Sequence, residues 1–320
     1  MILDVILLII GLVLLVYGAN WLVDGASSVA AKLGVSAMVV GLTVVAFGTS
    51  MPELVVNIMS SVKGSSGLAI GNVVGSNTIN ILIVLGVSAL IRPIAVKRST
   101  IRVEIPYSLF AAAMLFLLAN DVLIDGASES VLSRIDGIVL LSFLGLFFYY
   151  TYFSSKSEKN PHIPDVKVRK TWLSILLILA GIVGLYFGGQ LIVDSAIQIA
   201  QSLGIPDSII GLTVVALGTS LPELVTSAVA ACKGNIDIAV GNVLGSNIFN
   251  IFMVLGVSSL IRPLPFYPQA NIDILMTAFA SLLLFIVVLL GRGQRIDRKG
   301  GAFFVAIYLS YLVYIIVNYK

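Results

Sequence analysis

Gly41 to Asn57 reads GLTVVAFGTSMPELVVN, and 170 residues later Gly211 to Ser227 reads GLTVVALGTSLPELVTS, identical at 13 of 17 positions. A second pair keeps the same offset: GNVVGSNTINILIVLGVSALIRP (Gly71 to Pro93) and GNVLGSNIFNIFMVLGVSSLIRP (Gly241 to Pro263), identical at 17 of 23. The register holds from Gly18/Gly188 and Asp24/Asp194 through Arg92/Arg262, so the chain is two copies of one unit.

Both copies are written in lipid-soluble residues. Of 320 residues, 58% are hydrophobic and 11% charged, against about a quarter charged in a soluble domain, and the mean hydropathy is +1.07. These values exclude a water-soluble fold. One cysteine, Cys232, excludes an internal disulfide, and one histidine, His162, excludes a His-based metal centre. A net charge of +3 is too small to imply nucleic acid.

Runs long enough to cross about 30 Å of hydrocarbon fall near 3–23, 34–62, 67–91, 103–120 and 135–155, then near 172–193, 204–232, 237–261, 271–291 and 301–318. The expected fold is an all-α polytopic membrane protein of ten transmembrane helices in two five-helix repeats, residues 1–155 and 172–320, joined by a polar linker at 156–171. The first span lacks a basic leader and reads as a retained helix. An odd number of spans per copy inverts the second copy in the membrane, which is a transporter architecture. Fifteen Lys and Arg lie on the linker's side of the membrane and four on the other. The positive-inside rule then puts the linker in the cytoplasm and both termini outside a cell membrane.

Within the repeated stretches, Glu53 and Glu223 fall mid-span, where a carboxylate costs on the order of 2.5–3.5 kcal/mol on insertion scales. The nearest basic residues, Lys63 and Lys233, lie ten positions on, about 15 Å along a helix. Pro52 and Pro222 lack the N–H that would bond the carbonyls of Gly48 and Gly218, so the second and seventh helices should break there. Irregular backbone at that depth is tolerated where it lines a cavity or is buried in protein. Thr49 and Ser50 are expected beside Glu53, and Thr219 and Ser220 beside Glu223. Carboxylates, hydroxyls and free carbonyls are hard ligands suited to calcium, magnesium or sodium. Helix rise places Ser76 and Asn80 at the depth of Glu53, and Ser246 and Asn250 at that of Glu223. Asn72, Asn77, Asn242 and Asn247 fit helix packing and a polar site equally well.

The paired G-T-S-x-P-E and G-N-x-x-G-S-N motifs, and the chain around them, closely resemble the cation/calcium exchanger superfamily, in particular its prokaryotic sodium/calcium exchangers. That resemblance implies a calcium and sodium site bridged by Glu53 and Glu223. It further implies oxygens from Thr49, Ser50, Thr219 and Ser220, the carbonyls of Ala46 and Ala216, and sodium subsites completed by Ser76, Asn80, Ser246 and Asn250. Helices one and six would slide across the other eight. Some members carry Asp at the position of Asn80 or Asn250, and the potassium-cotransporting branch relies on one; two Asn here argue against potassium dependence.

The expected activity is antiport, with calcium extruded on sodium influx and no cofactor, no enzymatic chemistry and no obligatory protein partner. A calcium/proton antiporter using the same glutamates is the nearest alternative, and a cation channel the alternative of another class. Asp24 and Asp194 read as interfacial caps. Asp121, Asp125, Glu129 and Asp136 read as a solvated loop, Arg92-Pro93 and Arg262-Pro263 as helix ends, and His162 as a linker residue.

Overall fold

The computed structural model describes residues 2–157, 168–203, 216–291 and 293–318. Most of the linker, His162 and the start of the second GLTVVA stretch lie outside them. Among the described residues, the helices that carry the fold are α1 (Ile2–Leu33), α2 (Ala37–Thr49), α3 (Met51–Lys63), α4 (Ser66–Ile91), α5 (Arg98–Leu118) and α6 (Arg134–Ser157), then α7 (Thr171–Ser202), α8 (Ala216–Thr219), α9 (Leu221–Cys232), α10 (Ile236–Ile261), α11 (Asn271–Leu290) and α12 (Arg298–Asn318). Among the described residues, seven helices are long and apolar enough to cross a membrane, and an eighth if the bent pair α2 and α3 is one span. The protein is a polytopic all-α membrane protein.

Burial is graded from the centre outward. The most apolar stretch of α10 is buried throughout and that of α4 nearly three-quarters, whereas those of α1 and α6 are 28% buried. Leu, Ile, Val and Phe on their outer faces remain exposed, as lipid-facing helices require. α1 and α7 run against each other at backbone contact. A Cβ on Gly18 would lie 2.8 Å from the Leu185 nitrogen, and one on Gly188 2.8 Å from that of Leu15. Such approaches between membrane helices need small residues.

The halves exchange matched contacts. Strand β1 (Ile94–Ala95) pairs antiparallel with β4 (Arg295–Ile296), and β2 (Val131–Leu132) with β3 (Leu264–Pro265), so each strand following an Arg-Pro pair is covered from the other half. Arg298 Nε donates to the Leu90 carbonyl and Arg134 Nε to that of Leu260, both at 3.1 Å and both capping a helix end across the repeat. Arg92 and Arg262 do more than end their helices. The Arg92 guanidinium lies over Gly234 (φ 78°), the left-handed glycine that follows α9, and that of Arg262 over Gly64 (φ 80°), which follows α3.

Asp24 and Asp194 are not caps. Each sits inside a 32-residue helix that runs well past the apolar span predicted for it. Asp24 Oδ1 lies 2.6 Å from Lys233 Nζ and its Oδ2 3.8 Å from Arg169 Nη2.

Candidate functional site

Each G-T-S-x-P-E motif falls where one helix ends and the next begins. α2 ends at Thr49 and α3 starts at Met51, with a 45° bend at Ser50. In the second half, Ser220 likewise separates α8 from α9. Each Pro falls in the first turn of the following half-helix, where a missing N–H costs nothing, and each Glu sits in that same first turn. The helical N-terminus there favours a carboxylate.

Both carboxylates are fully buried. The bend undoes the local grouping expected from sequence, in which Thr49 and Ser50 sit one turn from Glu53. Instead the hydroxyls of Thr49, Ser50 and Thr219 reach partners in the other half. Ser50 Oγ donates to Glu223 Oε1 at 3.1 Å, and Thr49 Oγ1 lies 3.4 Å from Ser246 Oγ, which donates to Glu223 Oε1 at 3.2 Å. In mirror fashion, Thr219 Oγ1 lies 3.4 Å from Ser76 Oγ, which donates to Glu53 Oε1 at 3.3 Å. The Ala46 carbonyl already accepts from the Ser50 amide at 3.0 Å and lies 3.3 Å from Thr49 Oγ1. Ala216 opens the described part of α8, and Ser220 Oγ is buried without a partner.

Asn80 and Asn250 lie one helical turn beyond Ser76 and Ser246, and each opens a π-helical turn, Asn80–Val84 and Asn250–Leu255. Such turns recur at functional sites because the wider ring re-aims side chains and backbone. Asn80 donates its amide hydrogens to Asn247 Oδ1 at 3.1 Å, and Asn250 donates to Asn77 Oδ1 at 3.0 Å.

Besides the Ser220 hydroxyl, four acid and amide oxygens are left over: Glu53 Oε2, Glu223 Oε2, Asn80 Oδ1 and Asn250 Oδ1 are buried with no hydrogen-bond donor. Buried acceptors are normally satisfied, so two such pairs at repeat-equivalent positions make a cradle of hard oxygens. Its charge comes from two carboxylates, and among the described residues no group of three or more His, Cys, Asp or Glu could hold a metal ion. Carboxylate and amide oxygens are hard donors.

Sequence reasoning left the roles of Asn72, Asn77, Asn242 and Asn247 open. In the structure, Asn72 Nδ2 donates to Asn57 Oδ1 at 2.8 Å and its Oδ1 accepts from Thr219 Oγ1 at 3.3 Å. Asn242 Nδ2 reaches Ser227 Oγ at 2.9 Å and its Oδ1 accepts from Thr49 Oγ1 at 3.0 Å. Asn57 and Ser227 were not singled out; the repeat offset that relates them was the available signal. Glu104 is a third buried carboxylate, 4% exposed, bonded to the Tyr150 hydroxyl at 2.7 Å and lying outside this cradle.

A family profile described as sodium/calcium exchanger protein matches residues 3–153 and 173–317. The sodium/calcium exchanger MaX1 of Methanosarcina acetivorans is 35% identical over 344 residues, spanning 96% of this chain and 97% of that protein. The inner membrane protein YrbG of Escherichia coli is 36% identical over 277 residues, 82% of this chain and 81% of its own. A solved structure of the sodium-calcium exchanger NCX_Mj superposes with a TM-score of 0.80 at 35% identity, covering 100% of this chain and 99% of that one. Matched in both halves and along its length, the chain belongs to the sodium/calcium exchanger protein family.

Proposed function

We propose that this protein is a secondary active antiporter that exchanges sodium for calcium by alternating access and extrudes calcium on sodium influx. The observation that carries this reading is the cradle: two buried carboxylates and two amides from opposite halves, each with one oxygen lacking a donor. Calcium or two sodium ions would neutralise the two carboxylates. An empty site would leave two buried charges uncompensated, which is strongly unfavourable. Loaded states can rearrange and the empty one should not, so the two fluxes become coupled.

In this reading the ligands are Glu53, Glu223, Thr49, Ser50, Thr219, Ser220, Ser76, Asn80, Ser246 and Asn250, with the carbonyls of Ala46 and Ala216. The chain would cross the plasma membrane ten times as two inverted five-helix units, residues 1–155 and 172–320, broken in the second and seventh spans. Segment 156–171 would be cytoplasmic and the termini extracellular. The matched breaks at Ser50 and Ser220 and the cross-half strand pairs support the inversion.

Calcium-45 uptake into proteoliposomes, driven by an outward sodium gradient, tests the function. Glu53→Gln or Glu223→Gln should abolish it. Near-normal exchange in both variants overturns the assignment. Uptake that follows a pH gradient and ignores sodium would identify a proton antiporter, and unitary currents in a planar bilayer a channel.

A further inference from the structure

A side-chain amide presents either an acceptor or two donors, and its hydrogen-bond partners decide which face goes where. At Asn80 and Asn250 the choice matters, because a cation is attracted by Oδ1 and repelled by the amide hydrogens. Two further asparagines make that choice. Asn77 Nδ2 donates to the Asn247 backbone carbonyl at 3.1 Å, and Asn247 Nδ2 donates to the Asn77 carbonyl at 3.3 Å. A backbone carbonyl can only accept, so both amides are fixed with nitrogen on the carbonyl and oxygen turned away. Each fixed oxygen is then an acceptor that only the NH2 of a cradle amide can satisfy: Asn250 donates to Asn77 Oδ1 at 3.0 Å and Asn80 to Asn247 Oδ1 at 3.1 Å. The remaining atoms, Asn250 Oδ1 and Asn80 Oδ1, are the two left without donors. All four side chains are buried, with at most 1% exposure.

We propose that Asn77 and Asn247 are positioning residues for cation selectivity: anchored on each other's backbone, they force Asn250 and Asn80 to offer oxygen to the ion. The inference rests on the exchange function proposed above and adds residues outside its ligand set. It carries a consequence for substitution. A carboxylate has two oxygens and no wrong face, so Asp at position 250 would not need Asn77 to orient it, nor Asp at position 80 Asn247.

The test is therefore a pair of double-mutant cycles on the full chain in proteoliposomes, read as half-saturating sodium and calcium concentrations and as maximal rate. Asn77→Ala in the Asn250 background should raise at least one half-saturating concentration about tenfold, the order expected for loss of one orienting hydrogen bond, with the maximal rate changed less. In the Asn250→Asp background the same Asn77→Ala substitution should change it less than about threefold. Asn247→Ala with Asn80→Asp gives the mirror cycle, which decides the matter if either Asn77 variant fails to fold. Equal losses in both backgrounds, or no loss in the Asn background, overturn the positioning role while leaving exchange intact. A wild-type chain that moves calcium without sodium overturns the functional reading and this inference with it.

Discussion

Ser50 Oγ holds Glu223 Oε1 at 3.1 Å, yet Ser220, its counterpart 170 residues on, has a buried hydroxyl with no partner. The two halves thus grip their carboxylates unequally in this conformation. A hydrogen bond to a charged group contributes about 1.5–3 kcal/mol, one to two decades in affinity. Ser50→Ala is expected to weaken calcium binding by about tenfold or more, and Ser220→Ala by clearly less, as read by titration of purified protein. Matching losses would contradict the asymmetry.

A close approach in the helices around the cradle gives a second prediction. A Cβ on Gly245 would sit 2.6 Å from both the Leu42 carbonyl and the Ala46 Cβ, because α2 packs directly on α10 there. Overpacking of this kind costs about 1–3 kcal/mol. The melting temperature in detergent should therefore fall for Gly245→Ala. A melting temperature equal to that of the wild type would show that α2 is not seated on Gly245.

The repeat made much of this legible before any coordinates. Glu53 and Glu223 stood out because few of the 35 charged residues fall inside an apolar run, and the Pro-induced breaks follow from chemistry local to the chain. What sequence did not reveal was partnership across the halves. Thr49 and Ser50 are near Glu53 in sequence, yet once the helix bends at Ser50 they face Ser246 and Glu223, a relation set by packing between segments far apart in the chain. The roles of Asn77 and Asn247 depend on which face of an amide points where, and spacing carries no such information. Glu104 lies outside the repeated motifs, and its burial comes from helices distant in sequence.

The Asp24–Lys233 ion pair at 2.6 Å has a repeat counterpart in Asp194 and Lys63, which form no ion pair with each other. Lys233→Met removes an interaction and Lys63→Met does not. With the Lys233 and Asp24 side chains 30% and 38% exposed, solvent screening limits the contribution to about 1 kcal/mol or less. A drop in melting temperature of a few degrees at most for Lys233→Met, shrinking in high salt and absent in Lys63→Met, is the expected result. A salt-independent drop would assign the effect to packing of the lysine stem instead.

Glu104 gives the last prediction. Its Oε1 accepts from the Tyr150 hydroxyl at 2.7 Å, while Oε2 is buried without a partner. Tyr150→Phe takes away that hydrogen bond and strands the carboxylate, a loss of about 1–3 kcal/mol or more for a charged group. Glu104→Gln keeps an oxygen for the tyrosine and removes the charge, so it should be milder than Tyr150→Phe. Replacing both partners with apolar groups of similar size can approach neutrality. Tyr150→Phe combined with Glu104→Leu is therefore expected to recover at least half the stability lost in Tyr150→Phe alone, measured by thermal melting of the four members of the cycle. If the losses simply add, Tyr150 and Glu104 act independently, and the tyrosine stabilises α6 through its ring rather than through the acid it faces.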